Sequence, residues 1–365
     1  MKTMIVLMVL ACLLASVPAF PAAAEMRGLW VDAFHPGFAT PEQTAEMVST
    51  AKACNFNTLF VQVRKRGDVY YRSAIEPMAS NVTPGYDPLA DVLAKAHAAG
   101  LKVHAWITVY EVYHDTKWNK ADPRQVHVKH PEWLMKDARG STKLVDDAVF
   151  LDPGLPDVQT YLADIAEEIA SNYPIDGIHL DVAKYPAPET GYNEISLARF
   201  EKDTGKSGKP DGKDEAWSNW RRDRITAFVQ EAGQRLKNAN PKAQLSAAVF
   251  SNKFDAYLNK FQDWDKWVNT GLVDFVVPMV FAVDDRAFEQ LCTETLAVSK
   301  GKAPVYIGQG GFKTDPEATA RQVEIARKLG SPGVVEYSYW TCCKPRAGES
   351  LSVLEALGAG PFAEK

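Results

Sequence analysis

Asp181 ends an apolar stretch that has the composition of a buried β-strand. The stretch is Asp176-Gly-Ile-His-Leu-Asp181, and Gly177, Ile178 and Leu180 are small or apolar, as expected of a strand covered on both faces. Polar residues and two prolines follow it and indicate an irregular loop. Barrel enzymes place catalytic acids here, at the carboxyl end of a parallel strand, although an Asp could also simply cap the next turn.

Acids, histidines and aromatic residues also end the other predicted strands. Carboxylate pairs can perform acid/base and nucleophilic chemistry on acetals, and exposed Trp and Tyr rings offer flat apolar faces to sugar rings. The pattern therefore indicates carbohydrate chemistry where the strand ends converge. The candidates at these ends are Asp32, His35, Gln62, Arg64, Asp68, His104, Trp106, Glu111, His179, Asp181, Phe250, Met279, Asp284, Gln309, Glu336, Tyr337 and Trp340.

The histidines among these candidates also fit structural roles. Asp32 and His35 could form one hydrogen-bonded pair that only stabilises its loop. His104 and His179 lie one or two residues inside their strands, which favours interior positions with hydrogen-bond partners over positions that bind a ligand. His127 and His130 lack a nearby acid cluster at metal-ligand spacing, so no metal site is predicted.

Two charged candidates have structural alternatives as well. Arg64 could lie beside Asp181 or Glu111 in the barrel mouth and lower a carboxylate pKa, or it could form a structural ion pair. Glu336 lies mid-strand and is expected inside the protein, where burial would raise its pKa and suit an acid. The strand-end tryptophans fit either core positions or sugar platforms.

Short apolar runs alternate with helix-like stretches along the whole chain, which is the pattern of parallel βα units. Eight strands, each followed by a helix, predict a (β/α)8 barrel formed as one domain by residues 25–365, with long loops after strands 3 and 4. The alternative, a doubly wound open sheet, would need a glycine-rich phosphate loop after the first strand, and Phe34-His-Pro-Gly-Phe38 is not one. The predicted strands are 27–34, 57–64, 101–108, 176–181, 244–250, 273–281, 304–308 and 333–340.

The first 24 residues have the composition of a signal peptide. A lysine precedes a short apolar run, and Ala22-Ala23-Ala24 supplies the small residues that signal peptidase requires. The run is too short for a stable anchor and lipidation at Cys12 is not expected, so an exported, periplasmic or extracellular protein is predicted. The formal net charge is −5 and the basic residues are scattered, which argues against a nucleic-acid partner.

The chain contains no phosphate loop, dinucleotide fingerprint or Gly-x-Ser-x-Gly elbow. No cofactor is therefore predicted, and an esterase is disfavoured. Too few cysteines follow residue 24 for a disulfide scaffold. The adjacent Cys342 and Cys343 could form a vicinal disulfide or remain two thiols.

Several motifs occur together in a characteristic order along nearly the whole chain. They are Arg27-Gly-Leu-Trp-Val31, Phe60-Val-Gln-Val-Arg64 with Gly67-Asp68, Ile75-Glu-Pro77, Val103-His-Ala-Trp106, Leu151-Asp-Pro153, Asp176-Gly-Ile-His-Leu-Asp181 with Tyr185-Pro186, Trp220-Arg-Arg222 and Val273-Asp-Phe-Val-Val-Pro-Met279. In them the chain resembles the glycosyl-hydrolase-like 10 family of exported bacterial proteins. The resemblance implies a (β/α)8 barrel and a glycoside hydrolase acting on envelope or extracellular glycans, with the family's catalytic acid at Asp181. Many members carry a second Asp directly after it, and Val182 stands there in this chain.

The combined expectation is a glycoside hydrolase that cleaves O-glycosyl bonds in a bacterial envelope or extracellular polysaccharide. Asp181 would be the nucleophile or base, Glu111 the leading acid, and Asp68 and Glu336 the reserve acids. The alternatives are a catalytically weak glycan-binding barrel and a lyase or transglycosylase that uses the same cleft. The expected substrate contacts are Asp32, His35, Arg64, His104, Trp106, Lys184, Tyr185, Gln309, Tyr337 and Trp340.

Overall fold

The computed structural model describes residues 25–114, 121–299 and 301–363. The predicted signal peptide, residues 1–24 with Cys12, lies outside these ranges. Within them, no helix combines the length and the apolar composition needed to cross a membrane.

The described residues form ten strands: β1 (Met26–Val31), β2 (Thr58–Arg64), β3 (Lys102–Thr108), β4 (Glu111–His114), β5 (Ala148–Phe150), β6 (Gly177–Asp181), β7 (Gln244–Phe250), β8 (Phe275–Val280), β9 (Ile307–Gln309) and β10 (Gly333–Tyr337). Eight of them run parallel and close a barrel in the order β1-β10-β9-β8-β7-β6-β3-β2. The predicted (β/α)8 barrel is therefore confirmed. The other two, β4 and β5, form a separate antiparallel ribbon.

The helices are α1 (Pro41–Ala53), α2 (Pro88–Ala98), α3 (Val126–Lys129), α4 (Pro156–Asn172), α5 (Glu194–Thr204), α6 (Glu215–Ala239), α7 (Lys253–Asn259), α8 (Trp264–Asn269), α9 (Asp285–Leu296), α10 (Pro316–Lys328), α11 (Tyr339–Cys342) and α12 (Val353–Ala359), with 3-10 turns at Pro131–Trp133 and Val145–Asp147. Helices α1 and α2 each begin at an N-cap residue whose type favours a helix start. Thr40 and Asp87 accept hydrogen bonds from the first turn, and a proline follows each of them.

Large side chains from alternate strand positions fill the barrel interior. Trp30, Phe60, Trp106, Phe275 and Val335 belong to one buried cluster there, while residues of opposite parity join the core between strands and helices. Successive side chains on a strand point to opposite faces. The parity of a residue therefore decides whether its side chain faces the interior or the helix layer.

The connection after β3 was predicted to be a loop with short helices, and it also contains the β4–β5 ribbon. The ribbon places Glu111 opposite Phe150. The predicted eighth strand ends early, because Ser338 starts α11 with a capping box that includes Thr341. The seventh strand begins at Ile307, after Pro304, which has no N–H to donate to a sheet.

Candidate active site

The Asp181 carboxylate lies at the carboxyl end of β6, and both of its oxygens accept hydrogen bonds. The Trp106 indole N–H donates to Oδ2 over 3.1 Å, and the Val182 backbone N–H donates to Oδ1 over 2.7 Å. Burial raises the Asp181 pKa to about 6 and the Glu111 charge acts in the same direction, while the hydrogen bonds and Lys184 oppose the rise. The carboxyl group can therefore exchange a proton close to neutral pH.

Val182 adopts a left-handed backbone conformation, with φ of +55°. This conformation costs a β-branched residue roughly 1–2 kcal/mol. The resulting turn directs the Val182 N–H at the neighbouring Asp181 carboxylate. Strained backbone of this kind concentrates at functional sites, and here it fixes the orientation of the carboxyl group.

Glu111 begins β4 and lies beside the same mouth. Its carboxylate forms an ion pair with the Arg66 guanidinium, which also lies 4.7 Å from the centre of the Phe34 ring. The Glu111 charge raises the Asp181 pKa, so the two carboxyl groups are electrostatically coupled. The structure thus brings together the two acids that the sequence ranked first.

Lys184 lies in the loop after β6 and is partly buried. Its Nζ is 5.3 Å from the centre of the Phe250 ring, and the Lys260 Nζ is 5.6 Å from the same ring. Burial is the main cause that lowers the Lys184 pKa, and Lys260 adds to it, against the opposing pull of Asp181. Within the described ranges, the Lys184 ammonium group has no hydrogen bond or ion pair with a protein group.

Asp32 and His35 form the hydrogen-bonded pair that was one of their two interpretations. The His35 Nδ1 lies 2.8 Å from the Asp32 Oδ1, and the Ser338 hydroxyl donates to Oδ2 over 2.8 Å. Asp32 is buried, so it contributes mainly by holding this loop. The half-exposed His35 ring is stacked on Trp340 with 5.9 Å between ring centres, and these two rings face the solvent.

Tyr337 belongs to an aromatic floor inside the mouth. Its ring centre lies 5.7 Å from Phe281, 5.6 Å from Phe312 and 6.4 Å from Trp106. Burial raises the Tyr337 pKa, and the charges of Asp32 and Asp181 raise it further. The phenol therefore lies within electrostatic reach of both aspartates, where it can contact a sugar bound over Asp181.

Exposed apolar side chains follow five of the barrel strands and form a rim, here called the aromatic rim. Each is between 36 and 68 % exposed, which is high for side chains of this size. They come from separate connections at the same end of the barrel and offer platforms for sugar rings. The members are the aromatic Phe34, Phe254, Phe312 and Trp340, which supply the platforms, and the aliphatic Val283.

Asp68 lies in a cavity of about 680 Å³ beside the mouth, which Phe34, Lys65 and Arg66 also line. The Lys65 ammonium is 3.4 Å from the Asp68 Oδ2, and the Arg66 backbone N–H donates to Oδ1 over 3.1 Å. Arg66 therefore connects this cavity to Glu111. The cavity is large enough for one or two sugar units, and Asp68 belongs to its wall.

Residues 25–311 match the family model described as glycosyl hydrolase-like 10. The chain belongs to the glycosyl hydrolase-like 10 family. It is 26 % identical over 355 residues to glycosyl hydrolase YngK of Bacillus subtilis (strain 168), covering 84 % of this chain and 66 % of that protein. It is 29 % identical over 255 residues to glycosyl hydrolase DigH of Escherichia coli (strain K12), covering 62 % of this chain and 54 % of that protein. It thus spans between about half and two thirds of the length of these relatives.

The same fold occurs in the glycoside hydrolase domain of PgaB (BpsB) from Bordetella bronchiseptica. The TM-score is 0.68 at 16 % sequence identity, and the match covers 87 % of this chain and 95 % of that one. At this level of identity the similarity establishes a common barrel.

Arg64 ends β2, but its side chain is enclosed and does not open into the mouth. Its guanidinium is fully buried and donates two 2.7 Å hydrogen bonds to the two carboxylate oxygens of Glu76. The Tyr161 hydroxyl donates to the same carboxylate over 2.7 Å. The structural ion pair was therefore the correct alternative for Arg64, and the acid of the Ile75-Glu-Pro77 motif is its partner.

His104 and His179 are buried in the barrel interior and do not reach the mouth. The Trp30 indole N–H donates to the His179 Nε2 over 3.1 Å, and Nδ1 lies 2.8 Å from the Ser246 hydroxyl. Burial lowers the His104 pKa to about 4, which keeps that ring neutral. The expected substrate contact at His104 is not supported by this position, since Phe60 and Phe275 pack on the ring.

Glu336 and Gln309 occupy adjacent strands but face the helix layer. The Glu336 Oε1 accepts the Gly311 backbone N–H over 2.6 Å and lies 3.7 Å from the Cys342 sulfur. Burial raises the Glu336 pKa to about 8, as expected, yet strand parity turns it away from the interior that Val335 faces. The Gln309 amide donates to the Thr319 carbonyl over 2.6 Å. Neither side chain can contact a sugar in the mouth.

Tyr185 was expected to bind substrate and is instead fully buried under its own loop. Its ring packs edge-on against Phe261 with 5.6 Å between centres. The Arg221 guanidinium lies 5.7 Å from the Tyr185 ring and donates to the carbonyl oxygens of Pro188 and Thr190. Tyr185 therefore supports the loop that carries Lys184.

Several residues at the site were not among the strand-end candidates. Arg66 and Lys260 lie on connecting loops, and Phe281 and Phe312 complete the floor. In the Phe34-His-Pro-Gly-Phe38 segment only His35 had been a candidate, and the Phe34 ring was missed. A count of aromatic residues just beyond each strand end would have found the floor and rim.

Cys342 and Cys343 are free thiols, which resolves the two alternatives for them.

Proposed function

We propose that this chain hydrolyses O-glycosyl bonds of a bacterial envelope or extracellular polysaccharide at the barrel mouth. The observation that carries the proposal is the coupling of Asp181, with a pKa near 6, to the ion-paired Glu111. Acid/base cleavage of an acetal requires two carboxyl groups in different environments. Membership of the glycosyl hydrolase-like 10 family and the aromatic rim support the same reaction.

The environments favour Asp181 as the proton donor to the departing sugar oxygen. A carboxyl group with a pKa of about 6 keeps a useful protonated fraction near neutral pH. Glu111, paired with Arg66, would be the carboxylate that attacks the anomeric carbon or activates a water molecule. This division of roles is the reverse of the one expected from the sequence.

Other mouth residues would position the sugar. Trp106 fixes the Asp181 carboxyl group through its indole N–H, and Tyr337 provides a floor beneath the scissile bond. Phe312 and Trp340 are exposed on the rim and would stack on neighbouring units of the chain. An open mouth with platforms on several sides suits a polymer better than a free monosaccharide.

The test is incubation of the purified protein with isolated cell-wall and capsular glycans, followed by mass spectrometry of the released material. We expect the wild type to release oligosaccharides with new reducing ends. Asp181→Asn should lower that rate about 10³-fold or more, because proton donation contributes two to four orders of magnitude. Binding measured by affinity electrophoresis should survive, since asparagine keeps the shape of the side chain.

A second candidate is a glycan-binding barrel with little catalytic activity. Two observations favour it: Glu111 is already paired with Arg66, and Val182 stands where many family members carry a second Asp. In that case the wild type would bind a glycan and release nothing, and Asp181→Asn would leave its affinity unchanged.

A further inference from the structure

The loop after β6 and the loop after α7 place two lysines close to one aromatic ring. Lys184 Nζ lies 5.3 Å and Lys260 Nζ 5.6 Å from the centre of the Phe250 ring. Phe250 ends β7, the neighbour of the strand that ends in Asp181. Both ammonium groups are therefore close to the proposed point of cleavage.

The carboxylates that face Lys184 already have other partners. Asp181 accepts two N–H groups, Glu111 is paired with Arg66, and the Asp255 Oδ1 accepts the Asn259 amide over 2.8 Å. Lys260 already has one hydrogen-bond partner, because its Nζ donates to the Pro186 carbonyl over 2.8 Å.

Lys184 is the exception among these groups, with no such protein partner within the described ranges. Keeping a partly buried ammonium group near a second one without a hydrogen-bond partner is unfavourable. Burial and the Lys260 charge accordingly depress the Lys184 pKa. An anion bound between the two lysines would relieve both effects, whereas a sugar hydroxyl would relieve only the missing hydrogen bond.

We propose that Lys184 and Lys260 form a subsite for an anionic substituent of the glycan, so that the substrate carries an acidic sugar next to the scissile bond. This inference rests on the proposed function and specifies its substrate class. The lysine ammonium is a point charge that binds a carboxylate or a phosphate equally well. The shared chemistry is therefore a negatively charged group on the sugar unit that lies over Phe250.

The subsite also gives Lys184 a role that differs from tuning Asp181. A lysine that acts only on Asp181 would alter the pH dependence of hydrolysis for charged and neutral glycans alike. A lysine that binds the substrate anion would instead discriminate between them. The ratio of affinities for acidic and neutralised forms of one glycan therefore isolates the proposed role.

The experiment uses the Asp181→Asn protein and affinity electrophoresis. The probes are hyaluronan, a uronate polymer, with its carboxyl-reduced form, and a phosphate-linked wall polymer with its dephosphorylated form. We expect at least one acidic probe to bind about ten-fold more tightly than its neutral partner, as a charge-assisted hydrogen bond would give. The preferred pair identifies the anion. Lys184→Gln should reduce the ratio to about one, and Lys260→Gln should reduce it in part.

Lys328→Gln, exposed in the last turn of α10, is the matched control and should leave the ratio unchanged. Equal binding of each charged and neutral pair overturns the subsite, as does a preference that survives Lys184→Gln, or the absence of binding to every acidic probe. Hydrolysis is scored separately with the wild type. A charge preference without product release would contradict the hydrolase and leave the subsite in place.

Discussion

Asp181 and Glu336 are two acids near the carboxyl ends of barrel strands, and burial raises the pKa of both, to about 6 and about 8. They differ in the direction of the side chain. Asp181 faces the mouth, where Trp106 donates to it and Glu111 is coupled to it. Glu336 faces the helix layer, where it meets the Gly311 N–H and a cysteine thiol.

The difference shows that burial and a perturbed pKa do not by themselves identify a catalytic acid. A structural acid enclosed in the core also has a raised pKa, because the charged form is poorly solvated there. A catalytic acid differs from a structural acid in two respects: substrate can reach it, and a second ionisable group lies beside it. The first carboxyl group should therefore control the rate of reaction and the second should control the pH dependence of stability.

After Asp181 itself, the largest effect that sharpens this comparison is expected at Glu111. Glu111→Gln should lower kcat about 10²- to 10³-fold, since it removes the proposed attacking carboxylate. It should also lower the Asp181 pKa, because the Glu111 charge raises it. Asp68→Asn in the neighbouring cavity is the matched control and should stay within a few-fold of wild type. Steady-state assays of reducing-end release measure kcat for both variants. Equal losses in Glu111→Gln and Asp68→Asn would contradict a catalytic role that is specific to Glu111.

Glu336 should affect stability in a defined pH window. Its folded-state pKa of about 8 lies above the ordinary glutamate pKa of 4.5, so the folded protein holds the proton more tightly than the unfolded chain. The stabilisation is complete below about pH 4.5 and is lost as the pH rises to about 8. The free energy of unfolding of wild type relative to Glu336→Gln should fall by on the order of a few kcal/mol across this window. Urea unfolding at pH 5 and pH 8 would show it, and a constant difference would be evidence against a buried protonated Glu336.

Trp106→Phe should have an intermediate effect on the mouth. It removes the N–H that stabilises the ionised Asp181, so the Asp181 pKa should rise and the alkaline limb of the kcat/KM profile should move to higher pH. We expect about a ten-fold loss of kcat, since the carboxyl group also loses its orientation. Glu111→Gln should move the same limb the opposite way. If the alkaline limb does not move in either variant, it does not reflect the ionisation of Asp181.

The smallest effect is expected on the aromatic rim. Trp340→Ala should weaken glycan binding several-fold, by about 1 kcal/mol, because one stacking platform is lost. The kcat value should change little, as the ring lies away from the reacting bond. Leu351→Ala, another exposed apolar residue, provides a control, and an equal effect of both substitutions on KM would argue against stacking at Trp340.

The barrel could be predicted from the sequence because each βα unit carries local signals. The apolar run of β6 and the caps at Thr40 and Asp87 are examples. The same reasoning predicted Asp181, which ends β6, and Glu111, which comes soon after the end of β3. It could not orient Glu336, because strand parity depends on a register set by neighbouring strands.

The burial of Arg64 and Tyr185 could not be predicted from the sequence either, because it depends on loops that fold over these side chains. Glu76 lies 12 residues after Arg64 in the connection that follows β2, and Arg221 belongs to α6. Local sequence carries no signal for contacts over such distances. Loop residues such as Lys260 reach the mouth for the same reason, and only the assembled barrel reveals them.

The central claim is that Asp181, and not Glu336, carries the chemistry. Its most direct test is the rate of reducing-end release by Asp181→Asn and Glu336→Gln, compared at equal concentrations of folded protein on a glycan that the wild type cleaves. The account predicts a loss of about 10³-fold or more for Asp181→Asn and a rate within a few-fold of wild type for Glu336→Gln. Full activity of Asp181→Asn, or a comparable loss in Glu336→Gln, would contradict it.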